Sequence, residues 1–206
     1  MGIPCPGTPT VKDIDGNTYN TVQIGTQCWM KENLRVTKYN YGIEIPLDTS
    51  GGYWGNEPRQ TWTNRKTGAI TFFNNDLNNL NKFGYLYNAY VTNSNGGNIC
   101  PNGWHVPSDG DWSILTRFLG GEEFAGNKLK IYGSGTNESG FSGLAGGFRE
   151  SSGNYRLLDA YSYFLSSSKH DWTSPQSSNR IIHAYGSFVF RLADKSDGLS
   201  IRCIKD

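Results

Sequence analysis

No run of 18 or more apolar residues occurs in this 206-residue chain, so no segment of it reads as a membrane-spanning helix. Charge is scarce too. Charged residues make up 18% and the formal net charge is +1, with no basic stripe to follow a phosphate backbone, which argues against a nucleic-acid partner. The start of the chain has neither a charged n-region nor an apolar h-region, so no signal peptide is read. Met1-Gly2 ahead of a Pro- and Cys-containing stretch reads instead as the start of a trimmed mature protein. The G-x-S-x-G nucleophile elbow and the D-x-D-x-D-G calcium loop are both missing, and no solenoid or propeller period repeats.

Aromatic residues, by contrast, reach 14% (Trp 6, Tyr 12, Phe 10), enough to build a core from few side chains. Gly 26 and many Asn imply extensive turns and irregular loops. Cys5, Cys28, Cys100 and Cys203 are widely spaced, outside any C-x-x-C and unlike a common zinc module. An even number of such cysteines reads as two disulfides in an oxidising compartment. Four cysteines allow three pairings. The favoured one is Cys5–Cys28, tying down an N-terminal arm over residues 1–10, with Cys100–Cys203 closing a loop of roughly 100 residues.

Along the chain, residues 11–24 read as a hairpin turning at Asp15-Gly16-Asn17. Residues 40–80 read as long loops with short strands, packed by Trp54, Trp62, Phe72 and Phe73. Residues 84–92 read as a short helix. A firmer helix starts at Ser108, with acids in its first turn, an apolar face of Trp112, Leu115, Phe118 and Leu119, and a stop at Gly120-Gly121. A second short helix is expected over 122–130. Strands are expected over 161–168 and, around a turn at Lys195–Gly198, in two alternating runs: Phe188, Phe190, Leu192 and Leu199, Ile201, Cys203. Strands at both ends with helices between predict one α+β domain over 1–206 whose termini pair in one sheet.

Four segments in order, DIDGNTYNTVQIGTQCWMKENL (13–34), CPNGWHVPS (100–108), TNESGFSGLAGGFR (136–149) and GLSIRCIKD (198–206), resemble the Fibrobacter succinogenes major paralogous domain family. That resemblance implies a C-type-lectin-like fold with small antiparallel sheets, two or three short helices and long irregular loops. It also implies a secreted or outer-membrane-surface protein, often a lipoprotein, of Bacteroidetes or Fibrobacter relatives. The chain departs from the family where a W-W-S-S-T segment is common and here reads Tyr163-Phe164-Leu165-Ser166-Ser167-Ser168.

Candidate sites follow. Tyr53, Trp54, Asn56, Glu57, Arg59 and Trp62, with Asp171 and Trp172 as a second cluster, combine aromatic faces with amides and charges, the set that sugar hydroxyls and ring C–H faces require. For Trp54 and Trp62 the competing reading is aromatic filling under a long loop, and burial decides: an exposed pair supports a site and buried indoles end it. No cofactor is expected beyond calcium as a candidate, because C-type-lectin-like domains often bind it through loop oxygens such as those of Asn137 and Glu138. The competing reading makes 137–140 a turn with Glu138 paired to Arg149 or Arg202. His105 is read as a hydrogen-bonded core residue, Trp29, Trp104 and Trp112 as core, and Gly140–Gly147 as tight backbone packing rather than a phosphate loop.

Together these readings predict a non-catalytic extracytoplasmic binding or adhesion module for a glycan or surface protein. A structural or fimbrial assembly module, and a degenerate oxidase of the formylglycine-generating kind, are the alternatives.

Overall fold

A computed structural model describes residues 2–50, 62, 64–92, 98–168, 176–177, 179–185, 189–190 and 193–206. The expected hairpin pairs β1 (Thr10–Lys12) with β2 (Thr18–Ile24), and β2 turns at Gly25 into β3 (Gln27–Met30). Asp13 locks the first turn. One carboxylate oxygen accepts from the amides of Asp15 and Asn17, and the other from the Asn17 side chain and, at 2.6 Å, the Tyr19 hydroxyl. The acids of DIDGN are therefore hairpin caps. Asp15 likewise accepts from the Thr37 amide and hydroxyl.

Next come β4 (Ile70–Thr71), a 3-10 turn at Phe73–Asn75, α1 (Leu77–Phe83), β5 (Leu86–Tyr87), a second 3-10 turn at Ala89–Thr92, and β6 (Trp104–His105). The helix expected over 84–92 is thus a strand and a 3-10 turn. The Tyr87 amide and carbonyl pair with Leu199, and that long-range bridge outweighs a weak helical pattern. Helices α2 (Asp109–Phe118) and α3 (Glu122–Leu129) lie close to their expected bounds. Ser108 caps α2 in a reciprocal box with Asp111: each side chain accepts the other's amide, at 3.2 and 2.8 Å. Phe118 departs from the expected apolar face, at 63% exposed, whereas Trp112 and Leu115 are fully buried.

The last third holds β7 (Gly146–Arg149), β8 (Tyr155–Leu158), β9 (Tyr161–Leu165), β10 (Gln176–Ser177), β11 (Asn179–His183), β12 (Val189–Phe190), β13 (Ala193–Asp194) and β14 (Ile204–Lys205). One five-stranded sheet runs β1-β2-β3-β14-β6 and so joins the two ends of the chain; the other runs β12-β11-β9-β7-β8, antiparallel except for β7 beside β9. The architecture is α+β.

Residues 198–203 lie between these sheets. Ser200 exchanges backbone bonds with Tyr163 and Leu165, and the Ile201 and Cys203 carbonyls accept from Leu34 and Met30. The alternation of Leu199, Ile201 and Cys203 suggested one buried face, yet Ser200 and Arg202 are buried as well, because a sheet stands on each side. The apolar interior forms two clusters. One gathers Tyr19, Leu34, Tyr87, Trp104 and Ile201 around Cys100 and Cys203; the other gathers Trp29, Trp112, Phe141, Phe164 and Ile182. Both disulfides pair as favoured, Cys5 with Cys28 and Cys100 with Cys203, at Cα separations of 5.7 and 5.9 Å. The Gly140–Gly147 run is close packing. At Gly147, with φ at 61°, a Cβ would stand 2.3 Å from the Arg156 carbonyl oxygen.

Candidate functional site

Two buried arginines organise the framework. Arg202, fully buried, stands 4.3 Å from the Phe141 ring centroid and 5.4 Å from that of Phe164. Its guanidinium donates to the Asn33 side-chain oxygen and to the carbonyls of Phe141 and Ser142. All these acceptors are neutral. Burial therefore lowers Arg202 to about 9, opposed only by the charge of Glu32.

Arg149, the last residue of β7, is the second. It donates to the Asp48 carboxylate and carbonyl at 3.3 and 3.2 Å, and to the Gly153 carbonyl. Burial pushes the Asp48 carboxyl up, but the Ser50 hydroxyl and amide, Arg65 and Arg149 outweigh it and bring the group down to about 2. Ser50 and Trp62 are the residues on either side of 51–61, and both meet Arg149: the Ser50 hydroxyl at 3.5 Å and the Trp62 ring centroid at 4.3 Å.

A cleft of about 280 Å³ opens where the end of β3 meets α1 and the 131–144 segment, lined by Lys31, Arg35, Asn81, Lys82, Ile131 and Leu144 among others. Local structure sets each cation. Lys31 donates its amide to the Asn20 carbonyl, and the Arg35 amide donates to the Tyr19 hydroxyl. The Asp76 side chain caps the N-terminus of α1, which carries Asn81 and Lys82 in its last turns. The one acid in the lining, Glu32, has both oxygens engaged by the Asn20 amide and side chain, each at 2.8 Å.

The sequence-derived candidates fare unevenly. Tyr53, Trp54, Asn56, Glu57, Arg59, Asp171 and Trp172 lie outside the described residues. Trp62 is fully buried against Arg149, so its indole belongs to the framework and leaves the ligand set. The side chains of Asn137 and Glu138 have protein partners among the described residues. The Asn137 side chain is spent on the Ser142 amide and hydroxyl, and the exposed Glu138 meets Lys128 at 3.9 Å rather than Arg149 or Arg202. Among the described residues no three His, Cys, Asp or Glu side chains come together to hold a metal.

His105 is not a core residue. It is half-exposed, with Nδ1 2.6 Å from Asp206 and Nε2 3.3 Å from Asp111. Trp29, Trp104 and Trp112 are core as expected. Asp197, in the turn expected at Lys195–Gly198, accepts amides from Ser151 and Asp194 in a partly buried setting. Burial, with Asp194 and Glu150 nearby, raises it to about 6 against the opposing pull of those two amides.

Sequence reasoning missed Lys31, Arg35 and Lys82 as a group. The available signal was a pair of cations bracketing Glu32-Asn33-Leu34 within a motif otherwise spent on the core. Among the described residues no helix is long and apolar enough to cross a membrane. In comparison with known proteins, the family model described as the Fibrobacter succinogenes major domain matches residues 22–205. No curated protein and no solved structure matches the chain.

Proposed function

We propose, from the premise that this chain belongs to the Fibrobacter succinogenes major domain family, that it is a non-catalytic recognition module with a C-type-lectin-like fold. It works at the outer surface of a Gram-negative cell or after secretion, and binds a glycan or surface protein. The observation that carries this reading is the shared grip of Arg149 on Ser50 and Trp62, which fixes both flanks of the segment bearing Tyr53, Trp54, Asn56, Glu57 and Arg59 to one buried point. Recognition residues are commonly carried on loops held by a rigid scaffold. The two disulfides support an oxidising location. They also engage all four sulfurs, with Cys100 and Cys203 in the core, which favours binding over the thiol chemistry an oxidase of this fold would use.

The test is a thermal-shift series with plant-wall and mucin glycans, each in calcium and in EDTA. A ligand that binds only the native state raises the midpoint, with about 2.7 kcal/mol of added stability at a hundredfold excess over Kd. A glycan-specific shift abolished by Trp54→Ala supports the lectin reading. Silence across the series moves the reading to a protein-binding or assembly role.

A further inference from the structure

We propose that the cleft beside α1 is a site for the carboxylate of an acidic sugar residue, of the uronic-acid class, built from residues other than those of the 51–62 segment. Lys31 and Arg35 make no ion pair among the described residues, and Lys82 pairs with Asp159 across 3.8 Å in solvent while its ammonium lies 4.5 Å from the Phe83 ring centroid. Arg35 lines the cleft, and a guanidinium suits a planar carboxylate better than any other side chain.

Behind this wall stands Arg202, whose partners Asn33 and Ser142 both line the cleft and are both neutral toward it. Glu32 is the one carboxylate in the lining, and Asn20 already holds both of its oxygens. Net positive charge thus faces a concavity with apolar walls, the arrangement that focuses a field on an anion.

The remainder of the lining selects the kind of anion. Asn81 offers an amide that both donates and accepts, as a ring hydroxyl requires. Ile131, 50% exposed, and Leu144 offer apolar surface for a ring C–H face. At about 280 Å³ the cleft is at the small end of ligand pockets and matches a single sugar ring better than an extended peptide. An aspartate or glutamate side chain from a protein would use the cations and leave the amide and the apolar wall idle.

Calorimetric titration decides the matter, with tri-galacturonic acid, the same trimer with its carboxyl groups reduced to alcohols, polyglutamate and inorganic phosphate as probes. The uronate trimer is expected to bind, to weaken with added salt, and to bind about tenfold or more weakly to the surface variant Lys31→Gln/Lys82→Gln. Arg35→Gln should abolish binding. Because the Arg35 guanidinium also lies over Tyr19, the folding of that variant is checked by its unfolding midpoint, and the lysine variant stands on its own if it fails.

Equal binding of the reduced trimer, tighter binding of polyglutamate, equal binding of phosphate alone, or no uronate binding would each overturn the proposal. Uronate binding that survives Trp54→Ala separates this site from the 51–61 segment. A neutral glycan that shifts the midpoint while uronate does not leaves the reading of the 51–61 segment standing and removes this one.

Discussion

The Arg149 guanidinium carbon lies 4.3 Å from the centroid of the Trp62 ring, and both residues are fully buried. Arg149 also faces Asp48 at 3.3 Å, with side-chain exposures of 0% and 2%. Replacing only Arg149 would leave a buried carboxylate with Arg65 as its remaining cation. Arg149→Met should therefore cost about 3–5 kcal/mol in urea unfolding, and adding Asp48→Asn should recover part of that loss.

Asp197 makes stability depend on pH in a defined window. Its folded value, about 6, stands above its ordinary 3.8, so its contribution is fully present below pH 3.8 and is lost as pH rises through about 6. The span corresponds to at most about 3 kcal/mol. Unfolding free energies measured across this range should fall with rising pH from this group, and Asp197→Asn should flatten that component. Since two backbone amides point at the carboxylate, the asparagine variant should also lose stability at acid pH.

The two disulfides should differ in weight. Cys100–Cys203 closes a sequence separation of 103 and Cys5–Cys28 one of 23. Double replacement by alanine at the longer loop should cost about 2–5 kcal/mol, and roughly 1 kcal/mol more than at the shorter one on the chain-entropy account. Comparing the unfolding free energies of the two variants checks the order.

Helix α2 offers an internal contrast. Trp112 packs 4.9 Å from Trp29 between ring centroids and is fully buried, so Trp112→Ala should cost about 3–5 kcal/mol. Phe118, 63% exposed, should tolerate alanine within about 0.5 kcal/mol. Ser108→Ala removes the cap and should cost about 1 kcal/mol.

What could be read from the sequence divides by distance along the chain. The Asp15-Gly16-Asn17 turn, the Ser108 cap and the Gly120-Gly121 stop depend on near neighbours, and the structure agrees with each. The Cys100–Cys203 link and the union of both termini in one sheet followed from simple topology. The errors were long-range. His105 looked buried because its motif is apolar, but its partner Asp206 lies 101 residues away. Residues 84–92 lost their helix to a bridge with Leu199, and Arg202 became an interior cation because strands far apart in sequence enclose it. The basic cleft joins Lys31 and Arg35 to Lys82 from a distant helix, so the local pair of cations around Glu32-Asn33-Leu34 gave only part of it.

The pairing of Cys5 with Cys28 and Cys100 with Cys203 also decides how tension would travel. Pulled from its two ends, the chain bears load along a covalent route that enters at Cys5, crosses to Cys28, runs to Cys100 and leaves through Cys203. Residues 6–27 and 101–202 are shunted out of that route and cannot be drawn out while the sulfurs hold. Residues 28–100 are the extensible length, and they contain Lys31, Arg35 and Lys82, while Ile131 and Leu144 opposite them are shielded. Force applied to the two ends would therefore act first on the wall that carries the cations.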